Sequence, residues 1–498
     1  MSPTISIARP DSTAARPHLT ATLILCCIAQ FMVILDVSVV NVALPAIRHS
    51  LGFTEANLQW VVNAYTVTFA GFLLLGGRAA DLLGRRIVFV SGLALFALAS
   101  LAGGLADSQT LLIIARAIQG LGGAVIAPAS LSILTTTFTD PRERNRAVGI
   151  WGAMGGAGGA AGVILGGVIV QAISWRWILF INVPIGLIAA FATQRFVAEG
   201  RNRERARSFD LSGALAATIG LSLLVFGIVR TDTTGWGSGP TIALIAAGVL
   251  LLVAFVTIEG RFATHPLMPL RIFSSRTLSA ANLVVMSVGA ASFAMWFFLT
   301  LYLQEVLGYS PLDAGLAFLP MTLCIVFGSL VASRSVLRIG PKPILIVGML
   351  LQAAGLALFT QLAVHGHYLS DVLAGSLLVA LGIGFSFVTG SIAAVQGVEP
   401  REAGLASGLV NTSRMFGGAL GLAVLATVAT SHTDGLLRAH HGINDALTSG
   451  FHVAFAAGSG VALCGALLAA FALPRVRMRT PAAQDARPAD ATPAAEAA

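Results

Sequence analysis

The chain has 498 residues, 56% of them hydrophobic and only 10% charged, with a mean hydropathy of +0.85. Soluble proteins carry about 25% charged residues, so the composition excludes a soluble globular protein and marks an integral membrane protein. A formal net charge of +8 does not indicate nucleic acid, because the arginines fall in short segments between apolar runs, the pattern of membrane topology.

Residues 1–18 are polar, with Arg9, Arg16 and three prolines, and read as an N-terminal tail. Apolar runs long enough to cross about 30 Å of hydrocarbon as helices follow at 19–44, 58–77, 87–106, 109–133, 146–170, 177–198 and 210–230. The same pattern continues at 240–260, 278–303, 313–334, 343–363, 371–396, 403–430 and 450–473. These fourteen runs predict an all-α polytopic membrane protein; a closed barrel requires alternating segments instead. No small-residue cleavage site follows the first run, which is therefore expected to stay as a span. The tail from Pro474 is rich in proline and alanine, a composition expected to be disordered. Cys26, Cys27, Cys324 and Cys464 sit inside apolar runs, without the spacing of a disulfide framework or a metal site.

Charge orients the spans. With the N-terminus inside, 24 of the 30 basic residues fall on inner segments, and only Arg48, Arg176, Arg230 and Arg438 on outer ones. Arg116 and Arg414 remain within spans. The positive-inside rule then predicts a multi-pass protein of the cell membrane with both termini cytoplasmic.

The chain repeats. Leu51-Gly52-Phe53-Thr54 matches Leu307-Gly308-Tyr309-Ser310 at an offset of 256, which also pairs Gly84 with Gly340 and Arg86 with Lys342. Ala147, Gly149, Gly158, Gly159, Ala160 and Gly162 match Ala406, Gly408, Gly417, Gly418, Ala419 and Gly421 at an offset of 259. A shift of eight spans preserves direction, so the repeat is parallel, and parallel halves rocking about a midplane site are a transporter architecture. The expected organisation is an N-terminal six-helix half (19–198), a cytoplasmic linker (199–209) and an inserted helix pair (210–260). A second linker (261–277), a C-terminal six-helix half (278–473) and the tail (474–498) complete it.

Asp36 is the one acid deep within a membrane-length run. Such a carboxylate costs about 2.5–3.5 kcal/mol at a helix centre and marks function by default. Burial disfavours its charged form, so it is a group that takes up and releases a proton. Measured from the outer ends of their runs, Asp36 and Arg116 lie at similar depths, roughly 12–13 Å at 1.5 Å per residue. Arg116 is thus a plausible partner that lowers the pKa of Asp36 in one conformation and releases it in another. A static ion pair that only fixes packing is the alternative.

Several stretches carry a family likeness in order. Gly77-Arg-Ala-Ala-Asp81-Leu-Leu-Gly84-Arg85-Arg86 lies between spans 2 and 3, and Arg116-Ala-Ile-Gln119-Gly120 in span 4. Gly158, Gly162, Gly166 and Gly167 punctuate span 5. Ser174-Trp-Arg-Trp-Ile-Leu-Phe-Ile-Asn182-Val-Pro184-Ile-Gly186 opens span 6, and Asn411-Thr-Ser-Arg414-Met-Phe-Gly-Gly418 lies in span 13. Over residues 19–473 the chain resembles the fourteen-span drug/proton antiporters of the major facilitator superfamily. It departs from the pattern at Ala79, Leu82, Val163 and Met415.

The resemblance implies a fold of two six-helix halves plus two inserted helices. It implies a gating loop at Gly77, Asp81, Gly84, Arg85 and Arg86, in which Asp81 docks on the amino end of span 13 when the cytoplasmic side closes. It implies proton coupling through Asp36 and Arg116, and helix bending or close packing at Gly158, Gly162, Gly166 and Gly167. The Trp175–Trp177 pair is expected at the outer interface. Asn41, Gln119, Asn182, Gln304, Asn411 and Arg414 are candidates for a substrate cavity, and Glu305 for a second titrating group. Phe293, Phe297, Phe298, Phe385 and Phe387 line that cavity or face lipid.

The expected function is proton-coupled export of drugs or other small amphipathic molecules by alternating access. An importer or facilitator on the same scaffold, or a non-transporting sensor or assembly subunit, are the alternatives. The expected partners are protons, a small-molecule substrate and the lipid bilayer, with a periplasmic adaptor if the source has an outer membrane. No Walker motif offers ATP as the energy source, and no nucleophile–base set suggests an enzyme. No cofactor is expected. His432, His440 and His441 share one outer loop but have no cysteine or carboxylate cluster, so no metal is expected either.

Overall fold

The computed structural model describes residues 19–197, 199, 211–262, 270–396, 398 and 402–474. The expected tails at 1–18 and from 475, almost all of the 199–209 linker and residues 263–269 of the second linker lie outside the described residues.

The described chain is helical. In the N-terminal half run α1 (Leu19–Leu51), α2 (Trp60–Leu83), α3 (Arg85–Gly104), α4 (Gln109–Thr137), α5 (Pro141–Ala172) and α6 (Asn182–Phe196). The inserted pair is α7 (Leu211–Thr234) and α8 (Gly239–Thr257). The C-terminal half holds α9 (Arg276–Leu301), α10 (Pro311–Ile339), α11 (Pro341–Phe359), α12 (Leu373–Gln396), α13 (Ala403–Arg438) and α14 (Ile443–Phe471). Thirteen spans among the described residues are long and apolar enough to cross a membrane, and α7 is apolar over the shorter stretch Leu215–Thr231. Helices answer a physical demand: hydrocarbon offers no partner for a free backbone N–H or C=O.

Local chemistry sets the helix ends. Ser108 Oγ accepts from Leu111 N, Asp140 Oδ1 from Arg142 N and Glu143 N, and Ser275 Oγ from Leu278 N. Pro141, Pro311 and Pro341 occupy first turns, where the missing donor costs nothing. The tight turns repeat with the sequence. Gly84 and Gly340 have φ of 111° and 80°, and Gly52 and Gly308 have 67° and 71°. An L side chain is strained at such angles, so the residues paired by the 256-residue offset do the same backbone work in both halves.

Several helices overrun the expected spans, α13 as far as Arg438 and α14 from Ile443, and three further differences concern the first half and span 9. α1 continues through Pro45 to Leu51: Leu44, Pro45 and Ile47 are buried there, and that packing offsets the one missing ladder bond. Span 6 is split at Ile181 into Trp177–Phe180 and α6. Span 9 runs on from α9 through a wide π-type turn over Tyr302–Val306.

The inserted pair packs against itself and against one seam of the bundle. Gly220 and Gly248 face each other so closely that a Cβ on either would meet the other's carbonyl oxygen. Gly71 of α2 abuts Thr218 of α7, and Val67, Leu221, Val225, Ala419 and Ala423 form one buried cluster joining α2, α7 and α13. The outer flank of α8, with Ile242, Leu250 and Val253 exposed, suits contact with lipid.

The halves meet most tightly at the face opposite the arginine-rich turns. There Arg48 of α1 pairs with Glu305. Gln304 Nε2 donates to Val42 O at 2.8 Å, and Leu312 N donates to Gln171 Oε1 at 3.3 Å. Gly167 of α5 lies against Pro311 and Leu312, and Gly315 of α10 against the Val163 carbonyl. Small residues let the two backbones approach this closely.

Candidate functional site

Asp36 is fully buried inside the N-terminal half. Its Oδ2 accepts from an Arg116 Nη at 2.5 Å, and its Oδ1 from Gln119 Nε2 at 2.6 Å and Asn182 Nδ2 at 2.9 Å. Arg116 also donates to Val61 O at 3.0 Å and to Gln119 Oε1 at 2.7 Å. Gln119 in turn donates to Ser100 Oγ at 2.6 Å. The guanidinium lies 4.5 Å from the centroid of the Tyr65 ring. Five helices thus meet in this cluster: α1 supplies the carboxylate and α2, α3, α4 and α6 surround it, with α5 packed behind α1.

The spacing explains the convergence. Arg116 and Gln119 are three apart on α4 and share a face, so one helix presents a cation and a carboxamide to the same acid. Three donors occupy the two oxygens of the carboxylate. Burial makes such a pair costly to break from one side only.

The glycines of α5 hold α1 in place. A Cβ on Gly158 would come within 2.7 Å of Phe31 O, on Gly162 within 2.5 Å of Ser38 Cβ, and on Gly166 within 2.9 Å of Val39 Cγ2. One turn apart, they form a flat strip along the helix that carries Asp36. Gly167 faces α10 instead. α5 is unbroken past Val163.

A cavity of about 1530 Å³ lies between the halves, larger than the roughly 300–1000 Å³ of drug-sized sites. Its rim holds Arg78, Thr135, Arg271 and Glu402, all near the arginine-rich face, and its depth Asn41, Val163 and Trp296. The cavity therefore opens toward the arginine-rich face and stops short of the Arg48–Glu305 closure.

Of the six polar residues expected at a cavity, Asn41, Asn411 and Arg414 line it. The other three are corrected. Gln119 and Asn182 are turned away and committed to Asp36, and Gln304 is spent on the Val42 carbonyl in the closure. Phe293 and Phe387 line the cavity, while Phe297 and Phe298 are buried in the core of the C-terminal half and Phe385 packs beside Ala332, Val336 and Ile344. Glu305 is largely buried against Arg48, with His49 Nε2 4.0 Å away. Of the Trp pair, Trp177 is exposed and Trp175 buried, with Arg176 stacked on the latter at 4.6 Å.

In the expected gating loop, Gly77 lines the cavity, Gly84 makes the turn, and Arg85 begins α3. Arg86 reaches Glu199 Oε2 at 3.2 Å and Val197 O at 3.4 Å. The Asp81 side chain lies outside the described residues. Sequence reasoning missed Ser100, Tyr65 and the Val61 carbonyl around Asp36; nothing in their local pattern separates them from ordinary helix-packing residues.

Two six-helix halves, a central cavity open at one face and closed at the other, and a sealed charge cluster define a multi-pass membrane transporter of small molecules. The Major Facilitator Superfamily model matches residues 26–422 and 281–497, and the chain belongs to that superfamily. It is 44% identical to the cephamycin export protein CmcT of Amycolatopsis lactamdurans over 440 residues, covering 87% of this chain and 90% of that protein. It is 40% identical to the puromycin resistance protein pur8 of Streptomyces alboniger over 503 residues, covering 99% of each. With the lincomycin resistance protein of Streptomyces lincolnensis it shares 35% identity, over 95% of this chain and 96% of that one. Among solved structures, a bacterial homolog of the human lysosomal transporter Spinster, inward-facing and unoccupied, superposes with a TM-score of 0.67 at 16% identity. That match covers 92% of this chain and 97% of the other, and shows the fold.

Proposed function

We propose that the protein is a proton-coupled exporter of drugs or other small amphipathic molecules, resident in the cell membrane with both termini cytoplasmic. The names of the relatives support export and resistance, and the arginine-rich face supports the orientation. The observation that carries the coupling is the Asp36 carboxylate, buried and held by Arg116, Gln119 and Asn182 while the cavity stands open at the arginine-rich face.

In this cycle the structure is the cytoplasm-facing state, with Asp36 charged and paired. Substrate enters the cavity from the cytoplasm or the inner leaflet. The halves then rock, the Arg48–Glu305 closure opens, and the Gly77–Arg86 loop latches the cytoplasmic side through Asp81 and the amino end of α13. A proton from outside neutralises Asp36 and releases Arg116. On return, Arg116 pairs again and expels the proton inward. The halves 19–198 and 278–473 move as the two rocking units, with 210–260 riding on the α2–α13 seam. The bilayer and protons are required partners; a periplasmic adaptor is required only where there is an outer membrane to cross.

The test is Asp36→Asn in everted vesicles. The variant is expected to insert normally and to lose proton-driven accumulation of drug. Undiminished proton-driven transport by the variant would remove Asp36 from the coupling.

A further inference from the structure

The cavity wall has an unbalanced charge. Among the described residues, four charged ones line it: Arg78, Arg271, Glu402 and Arg414. Glu402 is engaged by Arg271 at 2.7 Å, and both stand at the rim. Asp36, the acid closest in sequence to the lining residues Val37 and Ser38, is sealed behind α1 and does not reach the wall. Arg414 is different. It sits eleven residues into α13, about 16 Å from its start at 1.5 Å per residue, and no carboxylate pairs with it among the described residues.

The Arg414 environment is incomplete for a guanidinium. One Nη donates to Asn411 Oδ1 at 3.1 Å. The Nε is buried with no hydrogen-bond partner. The guanidinium carbon is 5.0 Å from the centroid of the Phe387 ring, which steadies a cation but accepts no hydrogen bond in the plane of the fork. A planar cation with open donors is matched by a carboxylate or a similar oxyanion. The surrounding wall supplies aromatic surface from Phe387, Phe293 and Trp296 and hydroxyls from Ser292, Thr322 and Ser391.

We infer that Arg414 is the anion-recognising centre of the cavity, and that the favoured substrates are amphipathic molecules carrying a carboxylate or a comparable single negative charge beside an apolar, aromatic body. The inference rests on reading this cavity as the substrate chamber. Asn411 orients the guanidinium and Phe387 stacks on it, so the charge is fixed where the apolar body of the ligand can lie against Phe293 and Trp296. A cation placed there meets Arg414, and the one wall carboxylate among the described residues, Glu402, is engaged by Arg271 at the rim, so the cation is disfavoured.

Equilibrium binding to the purified full chain tests this without requiring transport. The probes are dansyl-phenylalanine, its uncharged methyl ester and the cation dansylcadaverine, followed by fluorescence. The wild-type protein is expected to bind the carboxylate at least tenfold more tightly than the ester, and the cation weakest. Arg414→Met is expected to erase that preference while leaving ester affinity within about threefold; Arg414→Lys is expected to keep the preference in reduced form. Equal binding of carboxylate and ester by the wild type, tighter binding of the cation, or no binding of any probe overturns the inference, whether or not Arg414→Met can be purified. Retained preference in Arg414→Met overturns it too. Loss of drug accumulation in Asp36→Asn vesicles with anion preference intact leaves both readings standing. Drug export by the wild type with no anion preference removes this inference alone.

Discussion

The two halves place their charge in opposite ways. The 256-residue offset pairs Asp36 of α1 with Ser292 of α9, and the two positions have opposite fates. Asp36 is sealed among Arg116, Gln119 and Asn182; Ser292 lines the cavity and accepts a single bond from Gln352 at 3.0 Å. The 259-residue offset pairs Gly155 of α5 with Arg414 of α13, and both line the cavity. The N-terminal half thus hides its embedded acid and shows the cavity a charge at Arg78 near the rim, while the C-terminal half presents its embedded cation, Arg414, to the cavity itself. One backbone repeat carries a buried acid in one half and a cavity-facing arginine in the other, because the scaffold fixes positions and not chemistry.

The comparison breaks if the acid can move. Asp36→Asn carries the largest expected effect, a loss of proton-driven uptake in vesicles of a hundredfold or more, on the order of 3 kcal/mol of coupling. Adding Ser292→Asp to that variant is expected to restore none of it, since Ser292 lies on the cavity wall beside Gln352 rather than in a sealed cage like that of Asp36. Recovery of coupling in the double variant would show that position alone suffices.

Arg116→Leu acts on folding stability instead of on coupling. It strands a buried carboxylate, which costs about 3–5 kcal/mol when one partner of such a pair is removed. A fall in thermal stability of the detergent-solubilised protein is the readout. Combining it with Asp36→Leu is expected to recover most of the loss, as a double-mutant cycle would display.

Gly162→Val is expected to cost about 1–3 kcal/mol by overpacking, because even a Cβ there would meet Ser38 Cβ at 2.5 Å and Leu35 O at 2.9 Å. Both stability and transport fall. Gly149→Ala is its control: nothing lies within 4 Å of that position, and the change is expected to stay within about 0.5 kcal/mol.

Glu305→Gln weakens the closure between the halves by about 1 kcal/mol, the scale of a partly exposed ion pair. The expected outcome is a severalfold rise in labelling of an Asn41→Cys reporter by an impermeant maleimide added from the outer side. No rise would mean that the Gly167–Pro311 and Gly315–Val163 packing holds that face without the ion pair.

Much of this was readable along the chain. Hydropathy announced the spans because hydrocarbon forces every backbone bond inside a helix. The glycine repeat announced the two halves because a turn at positive φ excludes other residues, and Gly52, Gly84, Gly308 and Gly340 all adopt it. Asp36 and Arg116 stood out by their cost in an apolar run, and similar depth suggested their meeting. Direction around a helix was harder to read. Asn41, Gln119, Asn182 and Gln304 look alike in sequence, yet one faces the cavity, two face Asp36 and one closes the far side.

The sequence by itself determined the helices, their number, the parallel repeat and the two embedded charges, since each follows from burial cost or backbone geometry at a single position. Only the tertiary structure decided which partners those charges meet, that Asp36 is shut away from the cavity and Arg414 open to it, and that Glu305 joins the halves. Those outcomes depend on the rotation and approach of helices far apart in the chain, set by the close packing of small residues such as Gly158, Gly162 and Gly166 against α1, which no local pattern encodes.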